Sequence, residues 1–207
     1  MLLEKEGTSL LFDPGTFCFV EGKVKPRYFQ NLSAIFITHN HGDHCDVSAL
    51  KIILQGNPQA KVYANPATHE MLLKDGVAVE LFNQGEKKIG SFSVKAVPAV
   101  HEKVLGPLPE NTAYFVDGIF LHPGDSFDVS LSGLAPQVLA LPTWAPWMTR
   151  VDMVEFAKRV KPKMVVPIHD EPLKDFFLKN QNQGYAKAFK EMGIDFKELN
   201  LGEALEV

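Results

Sequence analysis

"THNHGDHCD", residues 38–46, sets three histidines and two aspartates on nine positions directly behind the apolar run Ala34-Ile35-Phe36-Ile37. The whole chain of 207 residues holds only seven histidines, so this concentration asks for a reason. A short apolar run rich in branched residues reads as a buried strand, and the glycine and polar residues behind it read as a tight turn. Imidazole nitrogen and carboxylate oxygen are ligands of zinc, iron and manganese, and histidines two apart on an extended loop can point at one ion. His39 and His41 make such a pair. Asp43 and His44 follow on another side of the turn, so the same stretch offers the start of a second site.

Outward from this turn, apolar runs recur at residues 9–12, 61–64, 91–97, 113–116, 119–122, 138–141 and 164–168, and these also read as strands. Asp117-Gly118 joins two of them as a hairpin turn. Helices are expected at 47–54, 67–74, 151–160 and 173–192, the last with a break at Asn182-Gln183-Gly184. In the third, Val151, Val154, Ala157 and Val160 recur every three residues, and Thr149 with Asp152 resembles a capping box. Hairpins mixed with single helices suggest two packed sheets with helices outside, in one domain spanning 1–207. The stretches 14–31 and 102–111 are the longest irregular segments and are plausible walls for a substrate.

The net charge of -4 gives none of the electrostatic footprint of a nucleic-acid binder. No run approaches the roughly 18 apolar residues that span a bilayer, and the acidic first residues do not resemble a signal peptide. A cytoplasmic protein is expected, with no membrane or nucleic-acid partner. The two cysteines, Cys18 and Cys45, are far apart in sequence and are expected as reduced thiols, Cys45 in packing.

The run His39-x-His41-x-Asp43-His44 resembles the HxHxDH signature of the metallo-β-lactamase superfamily. Later segments follow in that superfamily's order: "LFDPG" at 11–15, "PAVH" at 98–101, "HPGDS" at 122–126 and "VVPIHDEP" at 165–172. The resemblance is greatest to the compact branch of L-ascorbate-6-phosphate lactonase and the UPF0173 proteins. It implies an α/β fold, a four-layer αββα sandwich of two mixed sheets packed face to face. It also implies two divalent ions, Zn2+ first with Mn2+ or Fe2+ as alternatives. His39, His41 and His101 would hold one ion, Asp43, His44 and His169 the other, and Asp125 would bridge them. Asp13 would orient ligands from behind, and His122 would stand behind the site or meet substrate. His69 is expected as an ordinary helical residue, and Trp144 and Trp147 either line the pocket mouth or cap the core. Relatives usually carry an additional strand and a glycine-containing turn before the segment matched by residues 1–4, so a bare sheet edge is expected, either covered by strand pairing with a second copy in a homo-oligomer or left as the edge of a shorter protein.

Two nearby cations lower the pKa of a shared water and polarise a carbonyl or phosphoryl oxygen, which implies hydrolysis through a metal-bridged hydroxide. Asp43 or a water would carry the proton to the leaving group, and His169 stands with it as a catalytic residue. The expected substrate is a small-molecule ester, lactone or phosphodiester, with Lys103 or Arg150 available to an anion. Glyoxalase II relatives would need an added helical domain and the superfamily's ribonucleases an inserted one, for which the chain is short. Two rivals stand beside this reading: a di-iron redox enzyme, whose pattern has glutamate where this chain has His41, and a non-catalytic metal-binding module.

Overall fold

The computed structural model describes residues 1–207. It builds two sheets and four principal helices. The first sheet has the order β1-β2-β3-β4-β5, formed by Leu2–Lys5, Thr8–Phe12, Ala34–Ile37, Lys61–Ala64 and Glu80–Leu81. β1 and β2 form an antiparallel hairpin, and β2 to β5 run parallel. The second sheet follows the order β10-β7-β8-β9-β11-β12-β13: Asp128–Val129, Phe92–Val100, Glu110–Val116, Phe120–His122, Val138–Pro142, Met164–Ile168 and Asp195–Phe196. β6 (Gly85–Ile89) pairs with the first half of β7, on the edge that β10 occupies farther along. β9, β11, β12 and β13 are parallel.

Period-two alternation of side chains sorts the layers. Leu10, Phe12, Ala34 and Phe36 point from the first sheet onto Val94, Tyr114, Phe120 and Ala140 of the second, forming a central core rich in stacked and tilted rings. Their neighbours Leu11, Ile35 and Ile37 point the other way, onto Leu50 and Ile53 of α1 (Val47–Gly56) and Leu72 of α2 (Pro66–Lys74). On the far side, Phe115, Leu121, Leu139 and Val165 pack on Met153 and Phe156 of α3 (Arg150–Val160) and on Tyr185 and Phe189 of α4 (Asp175–Glu191). Because strands buried on both faces cannot alternate polar and apolar, these runs are apolar throughout. The result is the αββα sandwich, with helices covering both outer faces.

The structure departs from the expected elements in a few places. α4 runs unbroken through Asn182-Gln183-Gly184. Gln181, Asn182, Tyr185 and Phe189 form one buried face along it, and this burial outweighs the weak local helix propensity of glycine. β1, β5, β6, β10 and β13 were not expected as strands; β6 is "GEKKI", a largely polar strand whose pairing with β7 comes from the turn at Gly90-Ser91. The Thr149–Asp152 capping box forms at the start of α3 as expected. No helix is long and apolar enough to cross a membrane.

Candidate metal centre

Strands β2, β3, β9 and β12, together with antiparallel β7, end on one rim, and the residues just past those ends converge. Asp13 follows β2, His39 to His44 follow β3, His101 follows β7, Asp125 lies beyond β9 and His169 follows β12. The carboxyl ends of parallel strands are where ligands generally bind in α/β sheets.

The turn at 38–46 is held by its own backbone. The His44 and Cys45 amides donate to the His41 carbonyl at 3.1 and 2.8 Å, and Asp46 caps α1 by accepting from the Ala49 amide. Cys45 itself is buried against β3 and α1. Gly15 lies flat on this turn: a Cβ there would stand 1.6 Å from the Asp43 carbonyl oxygen, so only glycine fits. Gly124 is required on the opposite wall, at φ +62 with Asn111 Oδ1 2.1 Å from where a Cβ would be. Asn111 uses that oxygen to accept from the Asp125 amide, and its own amide donates to the Pro123 carbonyl, which fixes the 122–126 turn.

Ligand-type atoms fall into two groups. His39, His41, His101 and Asp125 bring theirs within 4.8 Å of one another, and Asp43, His44 and His169 do the same. Asp125 stands between the groups. Its Oδ2 is 3.7 Å from His101 Nε2 and 4.0 Å from His39 Nε2, while its Oδ1 is 3.1 Å from His44 Nε2 and 3.6 Å from His169 Nε2. Asp43 Oδ2 lies 3.3 Å from His169 Nε2.

Proton positions follow from what stands behind each ring. The carbonyls of Glu102 and Trp144 only accept, so His101 Nδ1 and His169 Nδ1 carry their protons, at 2.6 and 2.7 Å. Asp13 Oδ2 likewise accepts from His44 Nδ1 at 2.7 Å. Thr38 gives its hydroxyl proton to Asp13 Oδ2 at 2.7 Å and is therefore free to accept from His39 Nδ1 at 3.1 Å. Four Nε2 lone pairs are thereby aimed inward, and metal sites generally fix ligand tautomers in this way. His44 Nε2, His101 Nε2, His169 Nε2 and Asp125 Oδ1 are buried with no hydrogen-bond partner. Buried acceptors facing one another without donors are what a cation resolves, so the residues present fit a divalent metal.

The electrostatics agree. Burial alone would raise Asp125, yet the surrounding imidazoles of His44, His169 and His39 hold it far below the usual carboxylate range. Burial opposes protonation of His44, but flanking Asp125 and Asp13 push it well above the ordinary histidine value, so without an ion a proton on Nε2 answers Asp125, and a bound cation would take the place of that proton. His39, buried among the other histidines, is held well below its ordinary value. Both Asp13 and His169 adopt left-handed backbone, φ +46 and +66. Such conformations in non-glycine residues concentrate at functional sites.

His122 is buried outside both ligand groups. Its Nδ1 accepts from the Gly124 amide at 3.2 Å, its ring stacks on Phe12, and its Nε2 is 4.0 Å from Asp13 Oδ2. Trp147 donates from its indole to Asp125 Oδ2 at 3.0 Å and packs against Phe127 and His101; Trp144 contributes its carbonyl. Thr38, Asn111 and Trp147 were not singled out as supports by the sequence, although Thr38 directly precedes His39. Arg150 is placed elsewhere: its guanidinium lies over the rings of Phe177 and Tyr185 between α3 and α4. Lys103 is exposed on the 102–109 loop, and His69 is half-buried within α2.

The family described as the beta-lactamase superfamily domain matches residues 1–169. The chain belongs to this superfamily. Protein Rv0786c of Mycobacterium tuberculosis is 38% identical to this superfamily member over 177 residues, 82% of this chain and 79% of that one. A UPF0173 metal-dependent hydrolase of Aeropyrum pernix is 32% identical over 193 residues, 81% of this chain and 77% of its own, which places the superfamily member in the UPF0173 branch of metal-dependent hydrolases. The metallo-beta-lactamase fold protein YhfI of Bacillus subtilis superposes with a TM-score of 0.66 at 18% identity, covering 96% of this chain and 87% of that one, and shows the shared fold.

Proposed function

We propose that this metal-dependent hydrolase holds two divalent ions, Zn2+ in the first place, and cleaves a small-molecule ester, lactone or phosphodiester in the cytoplasm. The observation that carries the reading is the division of ligand atoms about Asp125: one oxygen toward His39, His41 and His101, the other toward His44 and His169, with Asp43 closing the second group. When bound, such a pair of ions supplies Lewis acidity toward the scissile group and lowers the pKa of water toward about 7.

The chain's own residues do the rest. Asp13, Thr38 and the carbonyls of Glu102 and Trp144 keep the imidazole lone pairs inward, so little reorganisation is needed when charge develops. Asp125 is nearly closed to solvent, while the Asp43 side chain retains 24% of its accessibility. Asp43 is therefore the carboxylate able to take the proton of the attacking water and pass it to the leaving group, with His169 3.3 Å from it. An imidazole at His41, where the redox relatives carry glutamate, favours hydrolysis over oxygen chemistry. The test is elemental analysis of protein prepared without chelator, followed by an ester, lactone and phosphodiester panel on the same sample. Two ions per chain and turnover support the proposal; full metal loading with no turnover across the panel sinks it.

A further inference from the structure

His101 and Asp125 reach the first ligand group from different strand ends, β7 and β9. For one ion to use both, their ligand atoms must be held within about 0.5 Å of a productive arrangement. Glu102 ties the two together by three hydrogen bonds. Its carbonyl accepts from His101 Nδ1 at 2.6 Å, its amide donates to the Asp125 carbonyl at 2.9 Å, and its carboxylate accepts from the Phe127 amide at 3.0 Å. The first two bonds are made by the backbone, so another residue at 102 could keep them. The third needs a side-chain acceptor of this length, and it holds the 125–127 turn against the end of β7.

Trp147 completes the tie. Its ring stands edge-on to Phe127 and to His101, with centroids 5.3 and 6.4 Å apart, and its indole donates to Asp125 Oδ2 at 3.0 Å. An indole N–H only donates, so this bond fixes the direction of the carboxylate. Oδ2 is the oxygen that faces His39 and His101. The second group has other supports: Asp13 behind His44 and the Trp144 carbonyl behind His169.

We propose that the side chains of Glu102 and Trp147 are positioning residues for one ion of the pair. They set His101 and Asp125 Oδ2 in register for the ion on His39, His41 and His101, and the site on Asp43, His44 and His169 does not depend on them. The inference rests on the two-ion reading above.

The test is NMR of cadmium-loaded protein, in which each ion is assigned by its coupling to the ring protons of its own histidines, during titration with graded chelator. Glu102→Ala and Trp147→Phe should each weaken the ion coupled to His101 about tenfold and leave the ion coupled to His44 as in wild type. Glu102→Gln keeps an oxygen that accepts from the Phe127 amide and should hold both ions as wild type does. Equal weakening of both ions, weakening of neither, or a Glu102→Gln variant as weak as Glu102→Ala overturns the proposal. A wild type with one resonance, coupled to His101, sinks the two-ion reading, while tenfold weakening of that ion by both variants still supports the positioning role. A single resonance coupled to His44 alone overturns both.

Discussion

Replacing Asp13 by asparagine changes one atom and should weaken the second ion's site. Asparagine tolerates the left-handed backbone that position 13 adopts, so the turn itself survives. The amide oxygen can still accept from the Thr38 backbone, now 2.8 Å from Oδ1. The new NH2 then occupies the place of Oδ2, 2.7 Å from both Thr38 Oγ1 and His44 Nδ1. Thr38 can rotate its hydroxyl to accept, but His44 would point one donor at another. It escapes by moving its proton to Nε2, which faces Asp125 Oδ1 at 3.1 Å, and the lone pair meant for the ion is lost. Removing such a support typically costs a factor of 10–100 in metal affinity, about 1.4–2.7 kcal/mol. The expected result is selective loss of one ion during dialysis against graded chelator, read by elemental analysis, while the ion on His39, His41 and His101 is retained longer. Two ions held with wild-type affinity would refute the tautomer argument.

Other perturbations test neighbouring parts of the site. His41→Ala should lose the first ion and nearly all turnover; retained activity on a substrate that wild type cleaves contradicts the ligand assignment. Trp147→Phe keeps the ring contacts with Phe127 and His101 but removes the indole donor to Asp125, and should cost about 1.5–3 kcal/mol in denaturant unfolding of metal-free protein. His122, fully buried, is held neutral down to about 4, whereas an unfolded histidine protonates near 6.5. The unfolded chain therefore binds this proton first as pH falls, so stability is lost between about 6.5 and 4, by about 3 kcal/mol. Stability of His122→Gln measured in chelator should show a correspondingly flatter slope across that window. Gly15→Ala forces a Cβ against the Asp43 carbonyl and should destabilise the fold by more than about 3 kcal/mol while abolishing metal retention.

What was readable in advance was local or periodic. The 38–46 stretch carries four ligand-type residues close together, and the central strands are apolar on both faces, so their chemistry shows in short windows. β10 and β13 are two residues each and β6 is mostly charged, so they exist through their neighbours rather than through any pattern of their own. The expected break in α4 weighed Gly184 by local propensity, whereas Tyr185 and Phe189 hold the helix by tertiary packing. Support residues were harder still. Asn111 serves Asp125 from fourteen positions away and Trp147 from twenty-two, and nothing in a single sequence links such partners.

The origin of the ligands has a mechanical consequence. Four of them descend from the first sheet, and His101, Asp125 and His169 from the second, so ions held among them would rivet the two halves of the sandwich at one rim. Neither half can assemble a complete pocket alone, which makes ion capture a late event in folding, after the halves have met. Starvation for metal should accordingly first loosen the seam at that rim, exposing the aromatic layer around Phe12 and Tyr114 to proteases while the outer helices stay in place.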